Sequence, residues 1–448
     1  MSATLFWFLK IRNKDVIKTE IKQEIITLQN GTRIILEEDF NVRSCSMSVH
    51  IASGSRYETS ETAGASHFIE HMLFKGTEKR NARQIAEEID EIGGMLNAFT
   101  AKEYTCIYAR CLGEHTNEAF EIIADMVTSP KLSPDDIELE KGVILEEISM
   151  YEDSPEDLCA DMFYENVWAS DMLGSNILGT RETVNAMNRE ILLAHMKKFY
   201  VPERTVISFC GNFERASLLS LCSEYFGKAE NTGNPISVGE VKYHQNITTR
   251  KKDFEQNQLI FGFPGFERGS KKARAVNLLA SILGEASSSK LFQRIREELG
   301  LAYSVDCANA AYLNAGVFIV TMGVSQKSEK KAIKEALKII ASFADTVTEK
   351  EVFRAKEQAV AGLLMGLESV VARDSHNGRE LMFGMLKSAE EIENQIKSVT
   401  FEDIKAVARE IFDFGKMSLC AAGRVHGNAY YKKELEQALR EETDEQLQ

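Results

Sequence analysis

Apolar and polar residues along this chain alternate with two different periods, and the order of those periods points to the fold class. Residues 24–28 and 32–36 alternate with period two on either side of Asn30-Gly31, so they predict a β-hairpin. Residues 45–51 alternate in the same way and predict a further strand. A period of 3.6 then takes over, with helices expected at about 61–76, 81–93, 114–128 and 134–152. Between them, residues 97–108 follow the Gly93-Gly94 turn and read as one strand. Strands that precede helices, without regular β-α-β alternation, predict an α+β fold in which helices cover a mostly antiparallel sheet.

The pattern repeats weakly after about 213 residues. The helical run 191–199 leads into the strand 206–210 and Gly211, and the helical run 404–412 leads into 417–422 and Gly423. Residues 133–141 echo 348–356, and in that register Glu147 falls on Gly362 and Glu140 on Ala355. Two homologous domains are therefore expected, 22–230 and 246–435. They are joined by a linker at 231–245 that opens on the Asn/Thr/Gly/Pro/Ser cluster 231–237.

Composition narrows the classes. The 448 residues carry a net charge of −15, which disfavours nucleic acid or an anionic membrane as partner and favours basic stretches of a peptide. Eight scattered cysteines without a C-x-x-C pair read as buried thiols of a reducing compartment, which suggests the cytoplasm. No run is long and apolar enough to span a membrane. The apolar stretch 3–9 lacks a basic lead and a small-residue cleavage site. It reads as a loose extension or a dimer contact rather than a signal peptide.

Candidate chemistry centres on His67-Phe68-Ile69-Glu70-His71, an H-x-x-E-H pentad. On a helix its histidines sit at i and i+4 and share a face with Glu70. Ser66 is a plausible helix cap, and Phe68, Met72 and Leu73 can pack inward. Two neutral imidazoles can hold zinc and a neighbouring carboxylate can take a proton. A catalytic zinc needs a third protein ligand from elsewhere. The helix 134–152, opened by Ser133-Pro134, has an apolar stripe of Ile137, Val143, Ile144 and Ile148. Glu140 and Glu147 lie two turns apart on another stripe, readable as a solvated face or as a source of ligands.

The stretches 67–77, 93–100 and Glu140 to Glu147, followed by 291–304, together resemble the pitrilysin family of zinc peptidases. The similarity is nearest to the mitochondrial-processing-peptidase branch and runs from about residue 25 to 423. The resemblance implies that His67, His71 and Glu147 bind one Zn²⁺ per chain and that Glu70 is the general base. It makes Glu140 an orienting carboxylate. It places Arg296 and Tyr303 near the scissile bond, and makes Asn97, Ala98, Phe99 and Thr100 an edge strand that binds extended peptide. Pattern alone also allows an interior strand there, as the less favoured reading. Met172 departs from relatives, which commonly have histidine at that place. The implied protein is a zinc endopeptidase acting on peptides or unfolded segments, with Arg296 and Tyr303 completing the site of the other subunit in a chambered homodimer. The alternatives are a non-catalytic scaffold subunit, a subunit dependent on a different partner, or a closed structural metal site.

Overall fold

The computed structural model describes residues 22–446, so the apolar stretch 3–9 lies outside the described residues. Strands β1 (Lys22–Thr27), β2 (Arg33–Glu38), β3 (Ser44–Ile51), β4 (Met95–Thr100), β5 (Thr105–Leu112) and β6 (Thr205–Gly211) form one sheet, in the order β1-β2-β6-β3-β5-β4. Strands β7 (Ile247–Lys251), β8 (Asn257–Pro264), β9 (Ala302–Ala311), β10 (Gly316–Val324) and β11 (Ser418–Gly423) form a second, in the order β7-β11-β8-β10-β9. In each sheet one neighbouring pair is parallel, β2-β6 and β7-β11, and the other pairs are antiparallel. The second sheet thus repeats the first without β1. This is the expected α+β duplication.

The early elements follow their local chemistry. β1 and β2 pair across the Asn30-Gly31 turn, where Gly31 has φ 100°. Helix α1 (Ala65–Leu73) is shorter than the expected 61–76. Gly64 before it has φ 91°, and a Cβ there would stand 2.6 Å from the Leu178 carbonyl oxygen, so only glycine fits. Helix α2 (Ala82–Glu91) starts at a reciprocal Asn81–Gln84 capping box. Helix α3 (Thr116–Thr128) is followed by α4 (Pro134–Asp153), capped by Ser133 and opened by Pro134.

Two expectations need correction. The single strand 97–108 is a hairpin, β4 and β5, turning at residues 101–104. The turn is not solvated: Lys102 and Glu103 are buried, and Glu103 accepts from Arg56 Nη1 at 2.7 Å and from the Leu313 N–H at 2.9 Å. That carboxylate joins the β4-β5 turn to the tip of the β9-β10 hairpin. Second, Val143 does not belong to the buried stripe of α4. It is 51% exposed, and Glu140, 3% exposed, sits with Ile137, Ile144 and Ile148 on the buried side.

Each sheet is covered on one face by a helix from the other half of the chain. Helix α5 (Pro155–Val167) lies on β8 and β11, with Cys159, Met162 and Phe163 against Ile260, Cys420 and Ala422. The helix Val370–Met382 lies on β2, β3 and β6. Much of this contact is polar: Arg373 donates to Glu37 at 2.9 Å and Asp39 at 2.7 Å, and Ser46 donates to Asp374 at 3.0 Å, while Leu381 and Met382 at its end pack on Ile35 and Val206. All eight cysteines are buried and unpaired, as expected.

The α5 contact is close enough to test. A Cβ on Gly262 would stand 2.1 Å from the Phe163 ring, whereas nothing lies within 4 Å of one on Gly362, an exposed position in the helix Glu349–Gly366. Gly262→Ala is expected to lower stability by about 1–3 kcal/mol, and Gly362→Ala to raise it by up to about 1 kcal/mol. Denaturant unfolding of both variants checks this. Equal effects would remove the close-approach argument.

Candidate metal centre

Helix α1 is set against the interior by Phe68, Ile69, Met72 and Leu73, all buried, which turns His67, Glu70 and His71 to its other side. Ser66 is not its cap. The buried Glu58 carboxylate accepts the Gly64 and Ser66 N–H groups, each at 2.7 Å, and so caps the helix from the preceding loop. Burial pushes the Glu58 carboxyl up to about 7, against these two donors, which lower it. Buried His195 lies 2.9 Å from Ser53 Oγ and 3.2 Å from Ser66 Oγ, which ties the first turn of α1 to its surroundings.

Helix α4 brings up the third candidate ligand. Glu147 Oε2 stands 3.7 Å from His67 Nε2 and 3.5 Å from His71 Nε2. One ligand atom from each of the three residues falls within a mutual 4.8 Å, the one such group among the described residues. Two ligands on one tetrahedral zinc, each at about 2.0–2.1 Å, stand about 3.4 Å apart. Spacing and donor chemistry therefore fit zinc. Burial, with His71 nearby, pushes the His67 imidazole down to about 4, so it is a neutral donor at pH 7.

Glu140 does not compete for the metal position. Its Oε1 pairs with His71 Nδ1 at 2.8 Å, on the far side of the ring from Glu147, and Lys75 Nζ lies 2.5 Å from its Oε2. This fixes the ring and its tautomer. Burial lowers the His71 pKa, but hydrogen bonds and charge from Glu147 and Glu140 outweigh it and raise it overall. The hydrogen bond from His71 holds Glu147 below the usual carboxylate range.

Glu70 lies between the histidines in sequence, and burial raises its pKa while a 2.5 Å hydrogen bond from Thr100 Oγ1 opposes that. Thr100 ends β4, which is an edge strand, not an interior one. Ala98 faces the core under α1, while Phe99 stacks edge-on against Tyr104, with ring centroids 5.6 Å apart. Asn97 Oδ1 accepts the Ala98 N–H. Arg296 lies in a π-helical segment, Phe292–Glu298, and its guanidinium sits 5.3 Å above the ring of Tyr303 on β9. Tyr303 is 74% exposed, and neither residue has a hydrogen bond or ion pair to the metal-ligand candidates. Met172 sits in a short turn where Asp171 accepts the Leu173 N–H.

Sequence reading assigned nothing to Glu58, Lys75 or His195. Lys75 follows His71 by four residues and lies in the turn just past Leu73, where α1 ends. Glu58 and His195 carry no such periodic signal, because they reach α1 from a loop and from a distant helix.

Comparison with known proteins places the chain in a family. Residues 33–181 match the insulinase family, peptidase family M16, and residues 186–359 match the peptidase M16 inactive domain. The chain is 40% identical over 388 residues to an uncharacterized zinc protease of Bacillus subtilis, covering 86% of this chain and 95% of that one. It is 38% identical over 392 residues to an uncharacterized zinc protease of Mycobacterium tuberculosis, covering 86% and 90%. A protease from Helicobacter pylori has the same fold, with TM-score 0.82 at 20% identity over 90% of this chain and 99% of the other. No helix among the described residues is long and apolar enough to cross a membrane. On the matched length, the identities and the shared fold, the chain belongs to peptidase family M16, the insulinase family.

Proposed function

We propose that this protein is a cytoplasmic zinc endopeptidase acting on peptides or unfolded segments. The observation that carries the reading is the convergence of His67 Nε2, His71 Nε2 and Glu147 Oε2 beside Glu70. In this reading the three residues hold one Zn²⁺ per chain, and Glu140 fixes His71. When bound, the ion supplies Lewis acidity and lowers the pKa of a coordinated water toward about 7. Glu70 accepts the proton of the attacking water and passes it to the leaving amine. Its desolvation suits that double duty, because a raised carboxyl gains and releases a proton nearer neutral pH. An extended peptide adds to β4 through Asn97, Ala98, Phe99 and Thr100, whose outer main-chain groups no other strand pairs.

The division of labour follows the duplication, with residues 22–230 as the metal domain, 231–245 as linker and 246–435 as the metal-free domain. Arg296 and Tyr303 stay apart from the chain's own metal group in hydrogen bonding, and Tyr303 is exposed. That supports a homodimer closed around a chamber, in which each subunit lends Arg296 and Tyr303 to the other's site. A subunit that needs a different partner chain is the reading left if the homodimer fails.

Glu70→Gln is expected to retain zinc by elemental analysis and lose about 10²–10⁴ in peptidase rate on a quenched fluorescent basic peptide. His67→Ala, His71→Ala and Glu147→Gln should lose metal and activity together. Full activity in Glu70→Gln would end the mechanism.

Glu140→Gln should lower metal affinity or turnover by about 10–100-fold, less than Glu147→Gln, because it acts through the His71 ring. Metal loss as complete as in Glu147→Gln would make Glu140 a ligand instead.

Mixing inactive Glu70→Gln and inactive Tyr303→Phe chains should restore part of the activity, since each mixed dimer then holds one site with both residues intact. Verified subunit exchange without recovery excludes sharing in trans.

A further inference from the structure

A cleft of about 740 Å³ opens between the start of the helix Ala273–Ala280, the exchanged helix Val370–Met382 and the helix Ala389–Ser398, and none of its lining residues belongs to the metal group. Its wall carries six Lys and Arg side chains against three Asp and Glu, in a chain whose net charge is −15. The local sign is therefore opposite to that of the protein. The cations are also short of anionic partners. Lys272 has Glu410 at 2.5 Å. Glu380 serves two guanidiniums, Arg379 at 2.9 Å and Arg268 at 4.0 Å; Arg268 also has Glu103 at 3.7 Å, but its Nε has no hydrogen-bond partner.

Arg274 and Lys387 have no carboxylate at all within ion-pair distance. Arg274 Nε and Lys387 Nζ both point at the same neutral atom, Gln395 Oε1, at 3.3 and 3.4 Å. Two half-buried cations converging on one amide oxygen repel each other, and an amide dipole cannot offset that as an anion would. The remainder of the wall is mixed: Leu363, Met385, Ile392, Val399 and Val407 make an apolar part, beside polar Asn277, Asn309 and His376. The volume lies in the range of small-molecule sites, about 300–1,000 Å³.

We propose that this cleft binds a small organic phosphate, its oxyanion between Arg274 and Lys387 and its organic body along the apolar wall. A tetrahedral oxyanion accepts from an arginine fork and a lysine at once, which satisfies the donors that Gln395 now shares. Because Arg379 and Lys387 flank the end of the exchanged helix while Arg274 belongs to the second half, the ligand would also pin that helix to its own half.

The test is isothermal titration of the full chain with phenyl phosphate, inorganic phosphate and succinate, at ionic strength held constant with potassium chloride. Saturable binding of phenyl phosphate is expected, tighter than that of inorganic phosphate. Arg274→Gln and Lys387→Gln, each confirmed folded by circular dichroism, should weaken it at least tenfold. Lys251→Gln, on β7 and outside the cleft, should bind as the parent does. No saturable phenyl phosphate binding, or undiminished binding in both cleft variants, overturns the proposal. Succinate binding as tight as phenyl phosphate overturns the assignment to phosphate.

Discussion

The candidate metal centre depends on how nine residues of helix are held. Two and a half turns are too few to be stable in isolation. Helix α1 is fixed by what surrounds it: four apolar side chains beneath, and the Glu58 carboxylate on its first N–H groups. A carboxylate on two backbone donors does more than neutralise a helix end. It sets the rotation of α1 about its axis, and that rotation decides whether His67 and His71 face Glu147. The second constraint, Lys75 and His71 on the buried Glu140, locks one ring from behind. Both constraints use carboxylates that water cannot reach freely, so their geometry is not blurred by solvent exchange.

What could be read from the chain was what periodicity encodes. The hairpin at Asn30-Gly31, the helix carrying the pentad and the capped helix carrying Glu147 each announce themselves within a dozen residues. The duplication was visible because helix and strand recur together, before Gly211 and again before Gly423. Tertiary partners were not legible. Val143 looks like a core residue and Glu140 like a surface one, yet their burial is reversed, because the pentad helix needs a carboxylate on the side that faces it. Lys102-Glu103 reads as polar strand or solvated turn and is in fact the buried joint with the second half. Charges in such joints look superficial in sequence, since their partners lie far along the chain, Arg56 47 residues before Glu103 and the Leu313 N–H 210 after it.

Both sheets end on a strand open to one side, β4 in the first and β9 in the second. The two edges are related by the duplication but carry different chemistry. β4 ends on Thr100, bonded to the carboxylate of the pentad. β9 presents Tyr303 beneath the Arg296 guanidinium, with no metal-binding partner. The duplicated fold thus carries the candidate metal ligands beside one edge and an arginine–tyrosine pair on the other.

The exchange of covering helices has a consequence for how the chain is made. Helix α5 leaves the ribosome before the sheet it covers, so the apolar face of β8 and β11 finds its lid already waiting. The first sheet has the opposite history. About 160 residues separate Gly211, the end of its last strand, from Val370, where its lid begins. At about 5–20 residues per second that delay is of the order of ten to thirty seconds. During it, the face later covered shows water Ser46, Ser48, Ser208 and His50, beside Glu37 and Asp39, around a smaller apolar patch of Ile35, Cys106 and Val206. The polar groups of that interface give the unfinished first half a face that water can wet while its lid is still being made.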